Sequence, residues 1–404
     1  MRDAHAASRI HSHASSFSVL SSVAFYVSGH GFGHASRQIE IINSLSAGPP
    51  APRLATSTRS RSVPVARPAI FIRTSAPRWL FDRTVRVPFQ WFEGECDTGV
   101  VQIDSLRLDD VETVRRAAEF YATFPERVAR EVEFLNEHRI GLVISDAPPL
   151  ACAAAARTGI RSIVISNFTW DWIYSGYADR FEAEAPFVLP TIRAAYREAT
   201  EGWRLPMSGG FETFDRVIDL PFVARHARAD LEPTDVLSAL DIPLDRPLAL
   251  SSFGGYGVAG FDLSSLDCLD EWTVVVTGRD APASIPRGVA FVDESLMYAK
   301  GLHYEDLVGA CDVVVTKPGY GIIAECIANE TAMLYTSRGH FLEYDVLVRE
   351  MPRFVRCAFI DQESLLAGRW LERLDALLAS PPPPERPRTD GAQVAAEMIA
   401  DAIA

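Results

Sequence analysis

Short, uniformly apolar runs alternate along this chain with longer stretches whose apolar positions recur at helical spacing. The first run, Val23-Ala24-Phe25-Tyr26-Val27, leads through a glycine-rich loop to Ile39, Ile41, Ile42 and Leu45, which mark a helix. Similar runs predict strands at 142–145, 162–165, 248–251, 273–277, 289–292, 313–316 and 333–336, with fainter ones at 53–56, 69–72 and 85–87. Helical patterns are expected at about 109–137, 150–157, 191–201, 320–328, 364–378 and 392–404. Strands apolar at every position are those buried on both faces of a parallel sheet. Their alternation with helices predicts an α/β protein with helices on the sheet faces.

At 404 residues the chain is too long for one ordinary core, so two domains are expected. Asp219-Leu220-Pro221 closes one alternating series and Asp230-Leu231-Glu232-Pro233 opens another. The expected division is a disordered tail at 1–21, a first domain at 22–222 and a second at 223–404. The proline run 381–384 is a stiff spacer that would return an Ala-rich last helix to the first domain. No internal repeat of solenoid period is present.

A hydrophobic content of 48% with 23% charged residues suits a globular enzyme. The net charge of −14 argues against nucleic acid, whose binding needs a basic surface to displace counterions. One stretch runs against that balance: between Arg53 and Arg86 lie eight arginines and a single acid, Asp82. It reads as a solvated face or as a peripheral contact with an anionic surface. Six scattered cysteines without a Cys-x-x-Cys pair read as buried thiols in a reducing cytoplasm. No apolar run reaches the roughly 20 residues that span a bilayer.

The loops after the predicted strands carry the chemistry. After 23–27 comes Ser28-Gly29-His30-Gly31-Phe32-Gly33-His34-Ala35-Ser36-Arg37. Strand, glycine-rich loop and helix let a bound group sit against backbone N–H groups at a helix start. Phosphate cradles usually carry Lys, Ser or Thr; here the loop carries imidazoles, which move protons near neutral pH, and so marks a reaction site. In the second half, 248–251 enter Phe253-Gly254-Gly255-Tyr256-Gly257, where glycine lets backbone N–H groups approach a phosphate. Residues 313–316 enter Lys317-Pro318-Gly319-Tyr320-Gly321 and a helix holding Glu325. Gly319 and Gly321 would turn the positive end of that helix toward a diphosphate. Lys317 is a phosphate counter-charge or a surface lysine. Glu325 is a ribose ligand or an acid complementing the helix dipole. In Ser337-Arg338-Gly339-His340-Phe341-Leu342-Glu343-Tyr344, Glu343 binds hexose hydroxyls or simply starts a helix.

Two β/α domains with these loops resemble the GT-B glycosyltransferase architecture, two Rossmann-like β/α/β domains facing across a cleft. The second half resembles the C-terminal domain of the peptidoglycan lipid-intermediate N-acetylglucosaminyltransferases. Gly33-His34 with Arg37 resembles the Gly-His-x-x-Arg loop of the UDP-sugar hydrolase of pseudaminic acid synthesis. Tyr26-Val27-Ser28-Gly29-His30-Gly31-Phe32-Gly33-His34-Ala35, Ser145-Asp146, Ser166-Asn167-Phe168-Thr169-Trp170-Asp171-Trp172-Ile173-Tyr174 and the 317–321 turn with Glu325 resemble the non-kinase half of plant L-arabinokinases. The phosphate loop of the sugar-kinase half is absent, so kinase activity does not carry over.

These resemblances imply a nucleotide-sugar donor, a UDP-sugar, held by the second domain and an acceptor of unknown identity held by the first. A base must take the acceptor proton, the leaving diphosphate must be neutralised and the sugar oriented. His34 is the expected base and His30 the alternative. The diphosphate would rest on N–H groups of Gly254, Gly255, Gly319 and Gly321, with Tyr256, Lys317 and Tyr320 alongside, and no metal or other cofactor is expected. Gly31 and Phe32 would line the acceptor side. Asp146 or Asp171 would orient the histidine or bind the acceptor, and Trp170 and Trp172 would stack on a sugar face or simply fill the core. A nucleotide-sugar hydrolase or epimerase, or a non-catalytic sugar-nucleotide binding module, fits the same loops. A dehydrogenase fits less well, because the first loop is out of register with Gly-x-Gly-x-x-Gly and no acid ends a second strand at the expected distance.

Overall fold

The computed structural model describes residues 22–47, 68–253, 258, 261–268, 271–279, 284–339 and 341–403. The expected tail at 1–21, the expected strand at 53–56, Arg53, Arg59, Arg61, Arg67, Gly254, Gly255 and Tyr256 lie outside the described residues.

Fifteen strands form in chain order among the described residues. In the first half they are β1 (Ser22–Val27), β2 (Ala69–Thr74), β3 (Phe89–Glu93), β4 (Val101–Gln102), β5 (Leu108–Asp109), β6 (Leu142–Ser145), β7 (Arg161–Phe168), β8 (Glu201–Gly209) and β9 (Val217–Asp219). In the second half they are β10 (Leu248–Ser252), β11 (Thr273–Gly278), β12 (Val289–Asp293), β13 (Val313–Thr316), β14 (Ala332–Tyr335) and β15 (Cys357–Phe359). A seven-stranded sheet runs β3-β2-β1-β6-β7-β8-β9 and a six-stranded sheet β12-β11-β10-β13-β14-β15, while β4 and β5 form a separate hairpin. All pairings within the two large sheets are parallel. The two large sheets with their flanking helices are the doubly wound α/β units that the alternation predicts.

The uniformly apolar runs are explained by two-sided burial. In β1, Ala24 and Tyr26 join the core on one face, and Val23, Phe25 and Val27 join the core on the other. In β10, Leu248 and Leu250 face one core and Ala249 the other. In each sheet the strand order reverses beside the first strand, between β1 and β6 and between β10 and β13. Loops leaving the carboxyl ends of strands diverge at such a point and open a crevice. The histidine loop follows β1, Asp146 follows β6, and the Lys317 turn follows β13.

Several boundaries differ from the sequence expectation. The pattern at 109–137 is two helices, Asp110–Ala122 and Phe124–Glu137, because Pro125 can stand only in a first turn. The helix expected at 191–201 is Val188–Arg197, and Glu201 opens β8, in which Trp203, Leu205 and Met207 are buried at alternate positions. The helix at 364–378 is interrupted by Gly368, whose φ is +68° and whose missing Cβ would lie 2.0 Å from the Ser265 carbonyl oxygen. Residues 85–87 are not a strand: Val85 caps the helix Arg78–Thr84, and the strand is β3.

The chain leaves the first sheet after β9 and comes back before its last helix. The two crossings are paired, with Phe222 N donating to Arg388 O (3.2 Å) and Gly391 N to Phe222 O (2.9 Å). The last helix, Gly391–Ile403, then buries Ala392, Ala395 and Ile399 in the same core as Ile39 and Ile42 of the helix Phe32–Ala47. No helix among the described residues is long and apolar enough to cross a membrane.

Candidate active site

A cavity of about 540 Å³ opens between the carboxyl ends of the two sheets. The first unit contributes Gly29 to His34, Arg37, Gln102 and Phe168 to its wall; the second contributes Lys317, Gly319 to Ile322, Arg338, Phe341 and Glu343. The helices Phe32–Ala47 and Tyr320–Ala328 meet there start to start: a Cβ on Gly321 would lie 3.6 Å from the Cα of Gly33. Both positive helix ends therefore point into one crevice.

On the first wall, His34 stands in the opening turn of its helix and its Nδ1 is hydrogen-bonded to Asp146 Oδ2. A carboxylate only accepts, so Nδ1 carries the proton and Nε2 is left as the basic nitrogen. Asp146 is fully buried. Its other oxygen receives Arg37 Nη2, Arg37 Nε (3.2 Å) and Gln38 Nε2 (3.3 Å), and its backbone N–H donates to Tyr26 O (2.9 Å). Burial alone would raise the Asp146 carboxyl, but the charges of Arg37 and His34 and their hydrogen bonds outweigh it and hold it well below the usual carboxylate range. Arg37 Nη1 also donates to Asn167 Oδ1 at the end of β7. The His34 ring stacks on Trp170 (6.2 Å, 24°) and meets Phe168 edge-on (5.4 Å). Trp170 Nε1 in turn donates to Asp97 Oδ2 (2.8 Å), whose Oδ1 accepts from Ser28 (2.9 Å). Burial pushes Asp97 up to about 6 against these hydrogen bonds and the charge of His34.

On the opposite wall, burial and the neighbouring Arg338 push the Lys317 ammonium down to about 7. Its Nζ donates to Gln102 Oε1 (3.2 Å). Arg338 Nη1 is paired with Glu343 Oε1 (2.7 Å), and its Nε is buried without a hydrogen-bond partner. Burial raises the Glu343 carboxyl against the pull of Arg338. Burial and the charges of His34, Arg338 and Lys317 hold His30 well below the ordinary imidazole value, so it stays neutral.

No family model matches the chain. It is 28% identical over 380 residues to L-arabinokinase of Arabidopsis thaliana, covering 93% of this chain and 34% of that protein. The chain thus spans about a third of the length of this curated relative. Among solved structures it superimposes on the calicheamicin glycosyltransferase CalG4 with TM-score 0.59 at 14% identity, covering 95% of this chain and 97% of that one. The glycotransferase of kitacinnamycin gives 0.56 at 15%, with 95% and 99% covered. UGT89C1 of Arabidopsis thaliana complexed with UDP gives 0.53 at 14%, with 95% and 94% covered.

The chain has the GT-B glycosyltransferase fold.

Within this GT-B frame the crevice is the interdomain cleft, and it brings together His30, Gly31, Phe32, His34, Lys317, Gly319, Tyr320, Gly321 and Glu343 of the residues singled out from sequence. Asp146 takes the orienting position behind His34 and, being buried, is not offered to an acceptor. Four expectations need correction. Asp171 does not line the cleft; its Oδ2 accepts from Arg193 (3.3 Å) and its Oδ1 is buried without a partner. Trp170 has no free face for a sugar, since it is wholly buried behind His34. Trp172 packs against the backbone of Gly209 and Gly210, where a Cβ at Gly209 would fall 2.2 Å from its ring. Glu325 lies outside the main cleft, in a small adjoining pocket, with Oε1 bound by Arg225.

Of the described arginines of the basic stretch, Arg73 is half-buried and Arg78, Arg83 and Arg86 are exposed. Arg73 pairs with Glu131 (2.8 Å), Arg78 with Asp82 (3.2 Å), and Arg83 lies over the rings of Trp79 and Tyr298 (5.5 Å each). Sequence reading missed Asp97 and Gln102. Asp97 sits in a loop and Gln102 ends the two-residue strand β4, neither with hydrophobic periodicity around it, so only their three-dimensional neighbours reveal them.

Proposed function

We propose that this chain is a glycosyltransferase that moves a hexose from a UDP-sugar to an acceptor, with His34 as general base and without a metal ion. The observation that carries this reading is the His34–Asp146 pair on one wall of a cleft whose other wall presents Lys317 and a helix start. The acceptor hydroxyl would give its proton to His34 Nε2 as its oxygen bonds to the anomeric carbon. The bond from that carbon to the diphosphate oxygen breaks, and UDP leaves with the electron pair. Asp146 stabilises the imidazolium so formed. Lys317 and the backbone N–H groups at the start of Tyr320–Ala328 would take up the charge on the leaving diphosphate. Glu343, held by Arg338, would accept hydrogen bonds from sugar hydroxyls. The likeness in fold to a structure complexed with UDP supports the choice of nucleotide.

A thermal-shift panel of UDP-, GDP- and dTDP-sugars tests this. A UDP-sugar at a hundred times its dissociation constant should add about 2.7 kcal/mol, and no stabilisation by any member would overturn the reading. Free sugar released from a UDP-sugar alone would identify a hydrolase instead.

A pH dependence follows from Lys317. Its folded value of about 7 lies below the unfolded value of about 10.4, so between the two the unfolded chain binds more protons and stability rises with pH. Binding runs the other way, because UDP favours the ammonium. Affinity measured by calorimetry between about pH 7 and 9 should fall by up to about tenfold per pH unit. The slope should vanish in Lys317→Gln; a flat wild-type profile would remove Lys317 from the diphosphate.

A further inference from the structure

Gln102 belongs by sequence to the first unit but works at the seam between the two. It ends β4, and the hairpin to β5 reaches across into the second unit. There Leu106 is buried with Ala249, Phe253 and Val313, Gly339 N donates to Leu106 O (3.0 Å), and Ser105 Oγ donates to Phe253 O. Thus anchored, the Gln102 amide stands between His30 of the first unit and Lys317 of the second. Its Oε1 lies 3.2 Å from Lys317 Nζ, and its Nε2 lies 3.2 Å from His30 Nε2.

Donor and acceptor rules settle the protons. Below about pH 7, where Lys317 is an ammonium and has no lone pair, the amide atom facing it must be the oxygen. The NH2 group then faces His30, and His30 Nε2 must accept. The proton of the His30 ring is therefore on Nδ1. A second proton on Nε2 would point N–H at N–H, beside the further charged or titratable groups His34, Arg338 and Lys317. The ring itself is held in place: it lies parallel to Phe341 (6.5 Å, 19°), and the backbone of Gly99 is so close that a Cβ there would fall 2.5 Å from His30 Nδ1.

We propose that Gln102 is a positioning residue that locks His30 as the neutral, Nδ1-protonated tautomer while tethering Lys317 at the mouth of the diphosphate site. The significance of the lock rests on the glycosyltransferase reading: it keeps a second imidazole, 6.2 Å from His34, from competing for the acceptor proton. The lock itself can be tested without any substrate.

Nitrogen-15 NMR of the histidine side chains in the full chain, with His30 assigned by its loss in His30→Gln, reads the tautomer directly. In the wild type His30 should be Nδ1-protonated and stay neutral well below the ordinary value of about 6.5. In Gln102→Glu both oxygens only accept, so His30 should switch to the Nε2-protonated form and take up its second proton at higher pH. In Gln102→Met the single tautomer should give way to a mixture. An Nε2-protonated His30 in the wild type, or an unchanged tautomer in the folded variants, overturns the proposal. Should Gln102→Glu fail to fold, the wild-type spectrum and Gln102→Met decide. Calorimetry of UDP with the wild type reports separately on the glycosyltransferase reading, so either can fail without the other.

Discussion

Replacing His34 by alanine is expected to cut turnover by about 10²–10⁴-fold, the usual worth of a positioned general base, with the dissociation constant for UDP almost unchanged. The split follows from geometry. His34 belongs to the wall opposite Lys317, and its basic Nε2 is the nitrogen left over once Nδ1 is committed to Asp146. A residue that only shaped the loop would behave differently: its loss would disturb the helix start facing Gly321 and weaken nucleotide binding along with turnover. Steady-state kinetics with a UDP-sugar, paired with calorimetry, separates the two cases. Equal losses in both measurements, or none in either, would count against the base.

Asp146→Asn is expected to lose activity on a similar scale, about 10²–10⁴-fold, and to lose stability as well. In the wild type one carboxylate oxygen receives Arg37 and the other receives His34. An amide has only one acceptor oxygen. Arg37 can only donate, so it claims that oxygen and leaves the NH2 group facing His34 Nδ1. That forces the imidazole proton onto Nε2, where the acceptor hydroxyl needs a base. The neutral amide also leaves Arg37 as a buried charge without its counter-ion, a loss of about 3–5 kcal/mol in comparable cases. The sign of the pH effect is fixed. The folded Asp146 value is depressed below the unfolded value of about 3.9. Its contribution is therefore fully present above that value and fades as pH falls toward the folded one. Denaturant titrations in this acid range should show the wild type losing stability more steeply than Asp146→Asn. Parallel profiles would mean that the ion pair contributes nothing.

Strands such as β1, β6, β7, β10 and β13 were legible because two-sided burial writes itself into sequence as unbroken apolar runs; β3, β9 and β15 were not read as strands. The interval from 201 to 209 was not either, because β8 buries alternate residues and carries Gly202 and Pro206 among them. Part of the site could be read for the same reason: His34 and Asp146 follow strand ends, where doubly wound sheets open their crevices. Neighbouring aromatic residues gave a misleading signal. Trp170-Asp171-Trp172 looks the same in sequence whether it meets a sugar or a core, and the choice depends on β8 passing close behind it. Asp97 and Gln102 act through partners far away in sequence, namely Trp170, Ser28 and Lys317, and no local pattern encodes such encounters.

The last helix has a consequence for the order of events during synthesis. Ile39 and Ile42 emerge early, yet their cover, Ala395 and Ile399, is translated only after the whole second sheet. The half made first must therefore wait with an apolar flank open to water until residues 391–403 leave the ribosome. Domain-by-domain maturation from the amino end, the usual course for long chains, would leave this flank of the first half uncovered until the last helix is made.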